Sequence, residues 1–248
     1  MKRTALVTGA AAGIGRACAM RLAREGKAVG VLDLNGEGAE KVAQEIREAG
    51  GNAIGLQASI ADRRQVEAAV AKLREAFGPI TILVNNAAIV DFTPFDEITD
   101  EKWDAQFTVN VKGTFIVTQT VLPDMKTAKW GRIINISSSG AQSGSPLQVH
   151  YTASKGAVIS MTRSLAIALG PDGITVNNIP PGSVMQTIMS EAHKDLFPVH
   201  PDEMKKTLPV RRMGEPNDIA SACAWLASED TGYVTGQTIG VNGGRVPS

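Results

Sequence analysis

Short runs of β-branched and aliphatic residues recur along the chain at Thr4–Thr8, Ala28–Asp33, Asn52–Gln57, Ile80–Val84, Arg132–Ser137 and Ile174–Ile179, with a last one near Thr238–Val241. Between them the apolar positions follow a helical period, over Gly13–Glu25, Gly38–Ala49, Arg63–Phe77, Asp100–Met125, Val149–Leu169 and Pro216–Ser228. Strands that alternate with helices predict parallel pairing, with helices on both faces of one sheet. The unbroken run Ile80-Thr-Ile-Leu-Val84 fits a strand covered on both sides. Thr99 suits the N-cap of the next helix, and Asp100 and Glu101 suit its positive end. No repeat, linker or low-complexity block interrupts the rhythm, so 1–248 reads as a single α/β domain with a doubly wound, about seven-stranded parallel sheet. Only 183–212, rich in Met, His and Pro, departs from it. That segment reads as a flap over a site at the carboxyl ends of the strands.

Length and charge narrow the function. A chain of 248 residues can bury one sizeable core. Its 25 Lys and Arg balance 25 Asp and Glu, and no basic tract offers a footprint for nucleic acid. Met1-Lys-Arg-Thr4 leads straight into an apolar strand, without the longer apolar region of a signal peptide, and no apolar run reaches membrane-spanning length. A cytoplasmic enzyme with no membrane partner is the expectation. Cys18 and Cys223, among small residues on separate helices, read as buried free thiols.

Two stretches carry chemistry. After Ala5-Leu-Val7 comes the glycine-rich turn Gly9-x-x-x-Gly13-x-Gly15, which opens the first helix. Such a turn brings backbone N–H groups and the positive helix end to a pyrophosphate. Asp33 ends the second strand, where a carboxylate can accept from adenosine ribose hydroxyls; as a plain strand-end turn residue it would do nothing further. With no Arg or Lys in Asp33-Leu-Asn-Gly36 to receive a 2′-phosphate, the cofactor expected is NAD rather than NADP. Downstream, Tyr151 and Lys155 stand four apart in Tyr-Thr-Ala-Ser-Lys, on one helical face, and Ser138 follows the fifth strand. A Tyr hydroxyl ordinarily ionises near ~10, and a neighbouring ammonium favours the phenolate, so the pair suits proton transfer beside a hydride step. The serine would hold the reacting oxygen.

The glycine turn and the Ser138, Tyr151, Lys155 set, in this order, resemble the short-chain dehydrogenase/reductase family over nearly the whole chain, and among its members the 3-oxoacyl-acyl-carrier-protein reductase-like enzymes. The resemblance implies a Rossmann fold and a cofactor cleft that uses Gly9, Ala12, Gly13, Ile14, Gly15, Asp33, Leu34, Ser59, Ile60, Asn86, Ala87, Ala88, Tyr151, Lys155, Pro181, Gly182 and Val184. Asn85-Asn-Ala-Ala88 matches the family's Asn-Asn-Ala-Gly with Ala88 for Gly. Ser59 stands where Asp is common, Pro180 where Ala is, and Gln186 where Thr often meets the carboxamide. Asn110 falls at the family's proton-relay asparagine. A homotetramer paired through the two long helices and the C-terminal region is implied as well.

For the substrate, Ser138, Gly140, Gln142, Tyr151, Met185 and Met189 are the expected contacts, though Met side chains in the flap can equally serve to anchor it. His150 precedes Tyr151 and so points to another face. His193, His200, Asp91 and Asp96 lack metal-ligand spacing, and no metal is expected. The activity expected is NAD(H)-dependent interconversion of a secondary alcohol and a ketone, on small cyclic, aromatic or terpenoid alcohols or hydroxy acids. An NADPH-dependent 3-oxoacyl thioester reductase and a non-catalytic NAD-sensing protein are the alternatives.

Overall fold

The computed structural model describes residues 3–185 and 201–247. Six strands, β1 (Thr4–Thr8), β2 (Ala28–Asp33), β3 (Asn52–Gln57), β4 (Ile80–Asn85), β5 (Gly131–Ile136) and β6 (Ile174–Ile179), form one parallel sheet in the order β3-β2-β1-β4-β5-β6. The expected seventh strand is reduced to two isolated parallel bridges, Asn178 to Thr238 and Pro181 to Val241, along the free edge of β6.

The helices are α1 (Gly13–Arg24), α2 (Gly36–Glu48), α3 (Arg63–Phe77), α4 (Asp100–Phe107), α5 (Thr114–Ala128), the single turn α6 (Gly140–Ser143), α7 (Val149–Leu169), α8 (Pro201–Thr207) and α9 (Pro216–Leu226). Alternate strand residues point to opposite faces. Ala5, Val7, Val29, Val31, Ile82, Val84 and Ile134 therefore pack with α1, α2 and α9, and Leu6, Leu32, Leu83 and Ile133 pack with α3, α5 and α7. Cys18 and Cys223 are buried free thiols that meet where α1 packs on α9.

Helix ends agree with the expected spans to within two residues, and Thr99 caps α4 by accepting from Lys102 N at 3.3 Å. The span expected as one helix over Asp100–Met125 differs more. It runs on to Ala128, and a π-helical segment, Thr108–Gly113, separates α4 from α5. The cause is local. Gly113 lies so close to Ile60 that a Cβ would come within 2.6 Å of Ile60 Cδ1, and the Asn110 carbonyl accepts from Thr114 Oγ1 at 2.8 Å. Asn110, fully buried, lies within this wider turn.

At the opposite end of the sheet, two guanidinium groups lie over the Trp130 ring, Arg3 at 3.7 Å and Arg132 at 4.3 Å, and Arg3 is paired with Glu229 at 2.8 Å. No helix among the described residues is long and apolar enough to cross a membrane.

Candidate active site

The site grows from the carboxyl ends of β1, β4, β5 and β6. At β1 the chain turns through Gly9 (φ +62°) and Gly13 (φ +54°), a region that favours glycine. A Cβ on Gly15 would sit 2.1 Å from the Gly9 carbonyl oxygen, so α1 can begin this close to the turn only with glycine there. Ala12 caps α1 without a side-chain bond, which leaves the first N–H groups of the helix open to an anion. Asp33 spans the same turn from β2, accepting from Ala11 N and from Asn35 N, each at 3.0 Å. Leu34 beside it is 69% exposed. An uncapped helix start, a turn of glycine and alanine and a carboxylate at the end of β2 fit the pyrophosphate and adenosine ribose of a nicotinamide dinucleotide.

Several residues expected to touch the cofactor also shape the cleft. Asn86 Nδ2 donates to the carbonyls of Thr8 (3.0 Å) and Gly9 (2.9 Å), and Thr8 Oγ1 accepts from the Asn86 and Ala87 amides, both at 3.1 Å. Ile60 is buried against Gly113. Ser59 Oγ accepts from Ala61 N at 3.3 Å, within its own turn. Pro181 and Gly182 join the C-terminal stretch, Gly182 N donating to Val241 O at 3.2 Å, and Val184 pairs with Gly214. Ala88 is half-buried beyond Asn86 and Ala87.

The reacting groups converge where β5 meets α7. Ser138 Oγ accepts from Gly140 N at 3.1 Å, and the Ser138 side chain is hydrogen-bonded with Tyr151. Tyr151 is 9% exposed and Lys155 is 3% exposed. Lys155 Nζ donates to the Ile136 carbonyl at 2.9 Å and stands 5.9 Å from the Tyr151 ring centroid. Burial pushes the Tyr151 phenol up to about 12, against the pull of a hydrogen bond with Ser138, and burial brings the Lys155 ammonium down to about 8. The expected lowering of Tyr151 by Lys155 does not appear in the free protein: both groups lose water, and desolvation favours the neutral form of each. A phenol held protonated is a proton donor. Lys155, near 8, is still mostly charged at neutral pH.

Asn110 does not aim its side chain at Lys155. Its Oδ1 accepts from Ile89 N at 2.9 Å, and its Nδ2 donates to Ile89 O and to Ser154 Oγ, both at 3.0 Å. Gly140 and the exposed Gln142 follow Ser138 on α6, and Met185 N donates to Gly214 O at 3.0 Å. Met189, Gln186, Thr187, His193 and His200 lie outside the described residues. Of the basic residues in the flap, Lys206 is paired with Glu203 and Arg212 with Asp218, both at 2.6 Å.

Sequence reasoning passed over His150, which is fully buried and faces Asp91, and Ser154, which holds Asn110. Each precedes one member of the Tyr151 and Lys155 pair, and that repeated offset is the signal that could have found them.

The comparisons agree with this geometry. A family model described as enoyl-(acyl carrier protein) reductase matches residues 9–245. The 3-oxoacyl-[acyl-carrier-protein] reductase FabG of Staphylococcus epidermidis is 38% identical over 98% of this chain and 99% of its own. The (2S)-[(R)-hydroxy(phenyl)methyl]succinyl-CoA dehydrogenase subunit BbsD of Thauera aromatica is 38% identical, covering 98% of this chain and 96% of its own. A solved actinorhodin polyketide ketoreductase variant with NADPH superposes with a TM-score of 0.92 at 36% identity, over 98% of this chain and 97% of that one. The chain belongs to the short-chain dehydrogenase/reductase family and is an oxidoreductase of that family.

Proposed function

We propose that the protein interconverts a 3-oxoacyl thioester and the corresponding 3-hydroxyacyl thioester, with NAD(H) as its preferred cofactor. The observation that carries the chemistry is the buried pair Tyr151 and Lys155 on one stretch of α7, with Ser138 hydrogen-bonded to Tyr151. The thioester class is supported by the relatives, whose names specify an acyl-carrier-protein substrate in one case and a coenzyme A ester in the other. This shifts weight from the simple alcohols expected at first. Asp33 supports NAD(H), since a carboxylate at the end of β2 opposes a 2′-phosphate. An NADPH-linked reductase is the second reading, favoured by the structural neighbour's bound cofactor.

A nicotinamide cofactor bound in this cleft would supply a hydride to the carbonyl carbon, or take one from the carbinol carbon in the reverse direction. In the reductive direction Ser138 Oγ holds the ketone oxygen, and Tyr151 Oη delivers its proton to that oxygen as negative charge develops there. Lys155 then stabilises the phenolate left on Tyr151 until a proton returns. The protonated phenol suits this direction. Phe115, Ile167, Trp225 and Tyr233 expose apolar surface on the long helices and the C-terminal region, which suits a homotetramer.

The test is oxidation of NADH and of NADPH with acetoacetyl-CoA, run beside NAD⁺ reduction with a panel of secondary alcohols. Turnover of the thioester with NADH, falling about 10²–10⁴-fold in Tyr151→Phe, is the expected result. Activity confined to free alcohols would restore the simple alcohol reading, and tight nucleotide binding without any turnover would favour a binding protein.

A further inference from the structure

On α7, His150 and Ser154 form one i, i+4 pair, and Tyr151 and Lys155 form the next, one residue around the helix. The second pair faces the reacting centre; the first is held. Ser154 is tied to Asn110 at 3.0 Å, and His150 Nε2 lies 3.3 Å from Asp91 Oδ2. Asp91 belongs to the strap between β4 and α4. Its Oδ2 also accepts from Thr93 Oγ1 at 2.6 Å and faces Lys102 Nζ at 3.2 Å. Burial raises the Asp91 carboxyl, but the bonds from Thr93, Lys102 and His150 outweigh it and hold the group ionised. The strap is fixed twice more, by Thr93 N donating to Leu147 O at 2.8 Å and by Gln106, whose amide lies 3.0 Å from Asn110 Nδ2 and 3.1 Å from Asp91 N.

What α7 lacks explains why this matters. Gln148 at its N-cap makes no side-chain cap bond, and no acidic residue stands in its first turn. Tyr151 lies in that turn, so the catalytic hydroxyl rides on a helix end that its own sequence leaves unsecured. The Asp91 carboxylate supplies from another element the negative charge that a helix start favours.

We infer that Asp91 and His150 are a positioning pair for the reaction, an external clasp that fixes the first turn of α7 and so the place of the Tyr151 hydroxyl. His150 has no route to the reacting atoms of its own: its ring is buried, and its Nδ1 has no hydrogen-bond partner among the described residues. The pair acts through Tyr151, and the inference rests on the catalytic reading of that residue.

The clasp can be tested with and without turnover. Asp91→Ala and His150→Ala should each lower kcat at least tenfold while NADH affinity stays within twofold of the parent. Asp91→Asn, which keeps an acceptor oxygen, should recover most of the loss. The double variant should be no worse than the weaker single one, because the two residues act as one unit. The second readout uses the fact that the chain has only two tyrosines, the other being the fully exposed Tyr233. In a Tyr233→Phe background, phenolate absorbance reports Tyr151 alone. The parent should show little phenolate below about pH 11, and both clasp variants should show it earlier, as a loosened turn lets in water. Folded variants with unchanged kcat and an unchanged titration would overturn the clasp. Failure of the parent to turn over any substrate would overturn the catalytic reading instead, and the titration would still judge the clasp.

Discussion

Lys155 Nζ is bonded to the carbonyl of Ile136, the last residue of β5, at 2.9 Å, so the catalytic helix is fastened to the sheet through one buried ammonium. Burial lowers that ammonium to about 8 from 10.5. A depressed Lys contributes stability above its unfolded value, and that contribution is lost as pH falls through the folded value. The charged form therefore burdens the free protein below pH 8, by about 3 kcal/mol before the Ile136 bond is counted. Lys155→Met should abolish turnover, and its melting temperature relative to the parent should be more favourable at pH 7 than at pH 10. Thermal melts of the nucleotide-free proteins at both pH values check this.

The same group sets the pH profile. With Tyr151 raised to about 12, the phenol does not ionise over the working range. An alkaline limb in kcat/KM for NADH, which reports the free enzyme, should therefore have its midpoint near 8 and belong to Lys155. Lys155→Arg should displace that limb upward in whatever activity it retains.

Tyr151 has its own linkage with stability. A phenol raised from 10 to about 12 contributes stability that is complete below pH 10 and is lost as pH rises toward 12. Tyr151→Phe should lose less stability than the parent between pH 10 and 11, by denaturant midpoints at each pH.

Asp33 is read by two observables. Asp33→Ala should narrow the preference for NADH over NADPH by at least tenfold in kcat/KM. It should also cost about 1–2 kcal/mol of stability, because the Ala11 and Asn35 amides lose their acceptor. A variant with unchanged nucleotide preference would assign Asp33 to the turn alone.

Gly15→Ala places a methyl group 2.1 Å from the Gly9 carbonyl. The turn must open to admit it. Dinucleotide affinity should fall more than tenfold, with a stability loss of about 1–3 kcal/mol, measured by titration calorimetry and denaturant unfolding.

The doubly wound fold was legible because both signals are local: strands buried on two faces are apolar throughout, and helices between them keep one apolar stripe. Gly9, Gly13 and Gly15 were legible for the same reason, since a positive φ or a close approach leaves its mark in residue type. Functions that depend on tertiary partners were not. Asn86 and Ile60 could be placed near the cleft from the sequence, but only the folded chain shows one bonded to the Thr8 and Gly9 carbonyls and the other packed on Gly113. The ionisation of Tyr151 likewise depends on how much water is excluded around it, which helical spacing to Lys155 does not report. The π-helical segment left no mark in the apolar pattern, because its six residues are too few to shift a helical period.

That segment is a wide turn, closed i→i+5 where a regular helix closes i→i+4, so it takes in one residue more than an ordinary turn. Removing a single residue from Thr108–Gly113 would let the turn close as regular helix and leave α4 and α5 in nearly the same rotational phase. Ile116, Val117, Val121 and Met125 would stay in the core. The cost would fall on Asn110, whose side chain would lose its place between Ile89 and Ser154. A deletion that improves the local hydrogen bonding would thus spare the fold and unseat the asparagine.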